Sequence, residues 1–256
     1  MEEFLQLFGF RPEGELLVGM ERERILLNGN GRASPIAPQV LSWIWSQHGE
    51  GNSFGYELSA CQLEDRVGPC QLQEIRVELE KNDAVIKAAG QALGFSDFNY
   101  EVGPEDMPLD VYPDPTGRYQ EIVKKLSPEV LKAACQVIGT HVHIGMPDHD
   151  SALRVYNGVI RALPELCVLG DESGGERLRL YKIMAPDFVP PPYSSWRGFY
   201  EEAQQKNFAK DPRKCWHLIR LSVHGTIEFR MFGTTRDLDK VVSWADACHT
   251  LCRAYL

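Results

Sequence analysis

The sequence predicts an α+β domain built on a mainly antiparallel sheet. Three observations carry this expectation. Strand-like and helix-like stretches are mixed, without strict β-α-β alternation. The stretch CWHLIRLSVHGTIEFRMFG (215–233) reads as a hairpin turning at His224-Gly225. Three strand-like stretches, VGMERERI, GTHVHIG and TIEFRMF, each set an apolar face against a face of ionisable groups. That is the pattern of an antiparallel sheet packed on one side only.

The elements follow in order. ELLVGMERERILLN (15–28) has β character and runs into the turn-rich NGNGR. PIAPQVLSWIWSQHG places Val40, Leu41, Ile44 and Trp45 at helical spacing, with Gly49 as a stop. SFGYELSACQLE (53–64) reads as extended, and 71–93 as a long amphipathic helix ended by Gly94. FSDFNYEVGP (95–104) is predicted as a strand, 116–125 as a helix, and AACQVIGTHVHIGM (133–146) as a strand on its β-branched content. DHDSALRVYNGVIRALPEL is a helix capped by Asp148 or Asp150. APDFVPPPYSSW is a proline-rich loop, and Arg236 to Leu256 closes the chain as a helix.

The bulk numbers bound the function. The 256 residues are read as one domain, 1–256, with 43% apolar and 25% charged residues, enough for a sizeable core. A net charge of −9 argues against nonspecific nucleic-acid binding, which needs Lys and Arg to neutralise phosphates. MEEFLQLFGF lacks the basic start and apolar run of a secretory signal. No run of about 18 apolar residues predicts a membrane helix. Seven scattered cysteines without a CxxC pair predict reduced thiols and a cytoplasmic protein. Cys248 and Cys252, one helical turn apart, are read as packing, as are Trp43, Trp45, Trp216 and Trp244.

Side chains alternate along a strand. Glu21 and Glu23 therefore share a face with Gly19, and His141 and His143 share one with Gly139 and Gly145. Ile227, Phe229 and Met231 form an apolar face, with Glu228, Arg230 and Phe232 opposite. Two readings fit. One is a solvated outer face; the other is a face that holds cations and a ligand. Glycines in register with the carboxylates favour the second, because they leave room on the sheet. Glutamate oxygens with an imidazole suit Mg²⁺ or Mn²⁺ better than zinc, and bound Mg²⁺ usually takes nucleotide phosphates into its shell. Arg230, and Arg177 and Arg179 in ERLRLY, can clamp a carboxylate or phosphate. The chemistry suggested is phosphoryl transfer from ATP without a Walker A or GxGxxG sequence. A zinc hydrolase using His141 and His143 fits poorly, since no HExxH helix accompanies them.

Taken together, VGMERERILLN, YELSACQLE, GTHVHIGMPD, PPPYSSW and GTIEFRMFGTT resemble, in order, the glutamate–cysteine ligase family 2 group of carboxylate–amine ligases. The resemblance implies a glutamine synthetase-like fold, in which a curved antiparallel sheet forms a funnel with helices on its outer face and ATP and metal ions on its inner face. It implies that ATP phosphorylates a carboxylate and that an amine displaces the phosphate to form an amide. The metal ligands would be Glu21, Glu23, Glu57, Glu64, His141 and Glu228, with Arg230 stabilising the transferring phosphoryl group. Glu228 and Arg230 count as catalytic. Of Arg177 and Arg179, one is expected at the substrate carboxylate; Arg179 is assigned there, and Arg177 joins Arg230 at ATP. His143 either contacts substrate or lines the funnel. Glu57 and Glu64 are an odd number apart, so both can be ligands only if a bulge or turn intervenes. The segment LGDESGGERLRLYKIMAP (169–186) stands where a serine- and glycine-rich substrate loop is usual. The partners implied are small molecules, an amino-acid carboxylate and an amine; a homo-oligomer is left open, as is cysteine as the acceptor.

Overall fold

The computed structural model describes residues 1–49, 53–98 and 101–256. In chain order the helices and strands are α1 (Glu2–Leu5), β1 (Val18–Leu27), α2 (Ala37–His48), β2 (Phe54–Tyr56), β3 (Gln62–Cys70), α3 (Ile75–Leu93), β4 (Ser96–Phe98), α4 (Arg118–Val123), α5 (Pro128–Gln136), β5 (Thr140–Gly145), α6 (His149–Val159), α7 (Leu163–Gly170), α8 (Glu176–Met184), α9 (Trp196–Gln205), β6 (Ile219–Ser222), β7 (Thr226–Phe232) and α10 (Leu238–Tyr255).

Among the described residues every strand pair is antiparallel, and the sheet runs β2-β3-β1-β5-β7-β6, with β4 added to β1. The β6–β7 hairpin turns where the sequence places it, and Gly225 (φ 74°) takes the left-handed conformation that the turn needs. Asp148 is the α6 cap, accepting from the Ser151 amide at 2.8 Å. Gly94, left-handed at φ 74°, ends α3.

One face of the sheet is apolar and carries the core. Val18, Met20, Val142, Ile144, Ile227 and Phe229 point to this side and are buried with residues of α6, α7, α9 and α10. Further along β1, Arg22 and Arg24 occupy the same side, and their charges are met by Asp65 of β3 and Asp83 of α3. Asp65 is fully buried and accepts from Arg22 Nη2 at 2.7 Å and Arg24 Nε at 3.0 Å. This network fastens α3 to the back of β1 and β3.

Three local expectations are corrected. Residues Ala133–Gln136 end helix α5 and are not strand. Ser127 accepts from the Val130 amide and Pro128 opens the first turn, a start signal that outweighs the β-branched residues that follow. The ERLRLY stretch, to which the sequence assigns no element, is the start of α8. Phe232 lies on the core face, stacked on Trp244 with ring centroids 5.3 Å apart. The cause is a bulge in β7: Val142 pairs with Phe229 but Thr140 pairs with Phe232, so an extra residue enters at Arg230–Met231 and inverts the alternation beyond it. Of the predicted strand 95–104, β4 supplies Ser96–Phe98, while positions 99 and 100 lie outside the described residues.

Removing Asp65 would strand two buried guanidinium groups. Asp65→Ala is expected to lower the unfolding free energy by about 3 kcal/mol or more, measured by urea denaturation.

Candidate functional site

The face opposite the core brings the ionisable residues of five strands into one row. The register sets Gly55 beside Glu64, Glu64 beside Glu23, Arg66 and His141 on either side of Glu21, Gly19 beside His143, and His143 beside Glu228, which pairs with Arg220. Glu57 follows β2, and the turn between β2 and β3 brings it back over Glu64, which resolves the odd spacing. Most of these side chains lie deep: Glu64, His141, His143, Glu228 and Arg230 are all buried.

Two donor clusters result. Glu21, His143 and Glu228 form one, and Glu23, Glu57 and Glu64 the other; within each, one ligand atom per residue lies within 4.8 Å of the others. His143 Nδ1 is hydrogen-bonded to the Thr226 hydroxyl at 2.9 Å. Its Nε2 is buried without a hydrogen-bond partner, 3.7 Å from Glu21 Oε2. An orphaned ring nitrogen beside two carboxylates suits a divalent cation. The sequence reading put His141 in this role. The structure brings His143 there instead: His141 Nδ1 is engaged by Glu21 at 3.0 Å, and its Nε2 lies 3.8 Å from Glu23, so His141 bridges the clusters without completing either.

The electrostatics divide the row. Burial alone would raise every carboxyl. At Glu228 the Arg220 and Arg230 guanidinium groups overcome it and hold the carboxyl far below its ordinary range. At Glu21 burial is outweighed by the hydrogen bond with His141 and the nearby His143 ring, and this carboxyl too is held low. The second cluster has no such compensation. Burial and the neighbouring Glu64 push Glu23 up to about 7, despite its 2.6 Å hydrogen bond from the Gly139 amide. Burial and Glu23 push Glu57 up to about 7. Burial, with Glu21 and Glu57, lifts Glu64 as well, although Arg66 Nε lies 2.5 Å from it. Burial and the Arg230 charge push His141 down to about 4, so it is neutral at neutral pH. Three crowded carboxyls, Glu64 buried and Glu23 and Glu57 half-buried, that resist ionisation together are a second feature suited to a cation.

The arginines sort differently from expectation. Arg230 faces the row: Nη1 lies 2.5 Å from Glu228, Nε donates to Tyr181 Oη at 3.5 Å, and the guanidinium lies 5.7 Å from the Trp216 ring centroid. Arg220 donates through Nε to Glu228 at 2.7 Å. Arg177, expected from the sequence at a nucleotide, is committed to backbone instead. It is buried, and its guanidinium donates to the carbonyls of Ile138, Met231 and Arg230 at 2.7, 2.9 and 3.1 Å. Arg179 is corrected as well: it is exposed on α8 and paired with Glu176 at 2.7 Å, because a helix turns residues two apart away from each other. His217 is buried 3.9 Å from Glu202, off the row. The missed contributors, Arg66, Arg220, Tyr181 and Trp216, carry no local signal; only strand register and helix packing bring them in.

A cavity of about 320 Å³ opens beside the first cluster, lined by Gly19, Glu21, Arg66, His143, His224 and Thr226 among others. A larger one, about 540 Å³, lies behind the sheet at Arg22, Arg24 and Lys87, where Asp65, Asp83 and Asp97 already engage both arginines. The first belongs to the candidate site and the second does not.

Comparison with known proteins follows the same lines. No family model matches the chain. A protein of Gloeobacter violaceus provisionally named glutamate–cysteine ligase 2 is 25% identical over 243 residues, 88% of this chain and 64% of its own length. A protein of Rhodococcus jostii provisionally named glutamate–cysteine ligase 2-1 is 31% identical over 163 residues, 62% of this chain and 42% of its own length. The chain resembles the glutamate–cysteine ligase 2 proteins. It spans 64% and 42% of the length of these two relatives. Among solved structures, a bifunctional glutathione synthetase from Pasteurella multocida superposes with a TM-score of 0.58 at 14% identity, covering 99% of this chain and 39% of that one. A glutamine synthase homologue superposes with a TM-score of 0.50 at 14% identity, covering 100% of this chain and 58% of that one. The fold is glutamine synthetase-like: a mainly antiparallel open sheet with helices packed on its outer face. No helix among the described residues is long and apolar enough to cross a membrane.

The raised carboxyls set a pH dependence. A carboxyl held above its ordinary value favours folding while protonated, and that stability is lost as pH rises through about 7 for Glu23 and Glu57. Without divalent cations the melting temperature is expected to fall between about pH 5 and about pH 8, and added Mg²⁺ or Mn²⁺ should raise it more at about pH 8. Thermal unfolding with chelator or cation at both pH values measures this.

Proposed function

We propose that the chain is an ATP-dependent carboxylate–amine ligase, of glutamate–cysteine ligase type, acting as one catalytic unit over 1–256 in the cytoplasm on small-molecule substrates. The observation that carries the reading is the row itself: two donor clusters side by side on the face of the antiparallel sheet opposite the core, with Arg230 and Arg220 at one end. Likeness to the glutamate–cysteine ligase 2 proteins supports the same reading.

Mg²⁺ or Mn²⁺ held by Glu21, His143 and Glu228, and by Glu23, Glu57 and Glu64, would supply positive charge to the ATP phosphates. The protein's own residues then divide the work. The cavity beside the first cluster, with Arg66 and His224 on its wall, receives the nucleotide. Arg230, fixed by Glu228, Tyr181 and Trp216, offsets the charge that spreads over the γ-phosphoryl oxygens. His141, neutral and bonded to Glu21, holds that carboxylate in position. A substrate carboxylate oxygen attacks the γ-phosphorus and the bond to ADP breaks. The amine nitrogen then attacks the acyl carbon, phosphate leaves, and the nitrogen gives up a proton. No protein nucleophile is needed, and burial pushes the thiols of Cys61 and Cys135 up to about 11 and about 12, away from the reactive thiolate form.

The test is ADP release with Mg²⁺, ATP and glutamate, with and without cysteine, followed by the product mass. ADP dependent on both amino acids, with the mass of their γ-amide, is expected. Absence of ADP across a panel of acid and amine pairs, in protein that binds Mg-ATP, would overturn the ligase reading. Glu228→Gln, which keeps the side-chain shape, should lower turnover about 100-fold or more. Arg179→Ala touches only an exposed ion pair and should leave turnover unchanged.

A further inference from the structure

Arg177 is the most deeply engaged cation near the candidate site that the proposed chemistry does not use. It projects from the first turn of α8, is 3% exposed, and forms no ion pair within 4.0 Å among the described residues. Its guanidinium is instead given wholly to backbone. Nε donates to Ile138 O, which leads into β5, and Nη1 and Nη2 donate to Met231 O and Arg230 O. The two latter carbonyls belong to the residues of the β7 bulge. A bulge disrupts its ladder locally, and buried carbonyls there need donors from elsewhere. Arg177 supplies them with a rigid planar fork, which a lysine ammonium does not reproduce.

The approach is close. A Cβ built on Gly139 would stand 2.3 Å from Arg177 Nη2, so the entry to β5 has room for the guanidinium only because that residue is glycine. One turn further along α8, Tyr181 is 1% exposed and accepts from Arg230 Nε. Residues four apart on a helix face the same way. A single helix face thus grips Arg230 twice, once at its own carbonyl and once at its side chain.

We propose that α8 is a positioning element for Arg230: Arg177 fixes the bulged backbone from which Arg230 projects, Tyr181 fixes the guanidinium, and together they aim it at the transferring phosphoryl group. The assignment of that group rests on the ligase reading; the clamp on Arg230 does not. Arg177 is a positioning residue and does not touch substrate.

The test has two arms. In the kinetic arm, Arg177→Met should lower kcat for ADP formation about 100-fold while KM for ATP stays within about threefold, since misplacement of a catalytic group acts on the transition state. In an Arg230→Lys background the same substitution should lower kcat by no more than about twofold, because the group it positions has already been changed. An equal loss in both backgrounds would overturn the proposal and leave Arg177 a merely structural residue. In the second arm, the Arg230 Nε–H signal is followed by ¹⁵N NMR in folded protein. Its protection from solvent exchange should drop about tenfold or more in Arg177→Met and in Tyr181→Phe. Wild-type protection in both would overturn the proposal. Should Arg177→Met fail to fold, Arg177→Lys and Tyr181→Phe carry both arms. Should the wild type form no ADP with any acid and amine, the ligase reading fails while the NMR arm still decides the clamp.

Discussion

Glu228, with no exposed surface, sits between the guanidinium groups of Arg220 and Arg230, and the candidate site is organised outward from that triplet. Three charged groups withdrawn from water are stable only as a unit, since each alone would carry a desolvation penalty of several kcal/mol. The triplet links β6 to the middle of β7, and the register of β7 with β5 sets His143 beside Glu228. From there the row continues to Glu21, Glu23 and the second cluster.

The charge along this row is graded. Arginines dominate at the β6–β7 end, histidines occupy β5 in the middle, and carboxyls accumulate toward β2 and β3, where Arg66 is the nearest cation. The gradient explains why Glu228 ionises readily while Glu23 and Glu57 hold their protons to about 7. It also gives the face an asymmetry suited to a polyanion with cations: fixed positive charge at one end and clustered carboxylate oxygens at the other.

The opposite side of β1 solves the same problem by internal pairing. Arg22 and Arg24 alternate with Glu21 and Glu23 on one strand, yet they are matched by Asp65 and Asp83 and bind α3 to the sheet. Charge is thus placed on both sides of β1, its compensation complete behind the sheet and incomplete in the row of the candidate site. An incompletely compensated set is the less stable arrangement, and that incompleteness is what separates the candidate site from the paired ion network behind the sheet.

Much of this was legible in the sequence, because strand alternation is a local property. Gly19-Met20-Glu21-Arg22-Glu23, His141-Val142-His143 and Glu228-Phe229-Arg230 declare a shared face through period two alone, and Gly225 declares the hairpin turn through its freedom at positive φ. Register is not local. Which histidine meets Glu228 depends on how β5 slides against β7, and that decided for His143 over His141. The bulge at Arg230–Met231 inverted Phe232, and nothing in TIEFRMF announces it, because the bulge is held by an arginine over fifty residues away in sequence. Arg177 and Arg179 look interchangeable in ERLRLY; the helix that contains them buried one and exposed the other. The residue types and their alternation determined that one face of this protein would be ionisable. Only the packing of distant segments decided which of those groups meet, since contact between them depends on strand register, helix orientation and the path of the turns, none of which is a property of neighbouring residues.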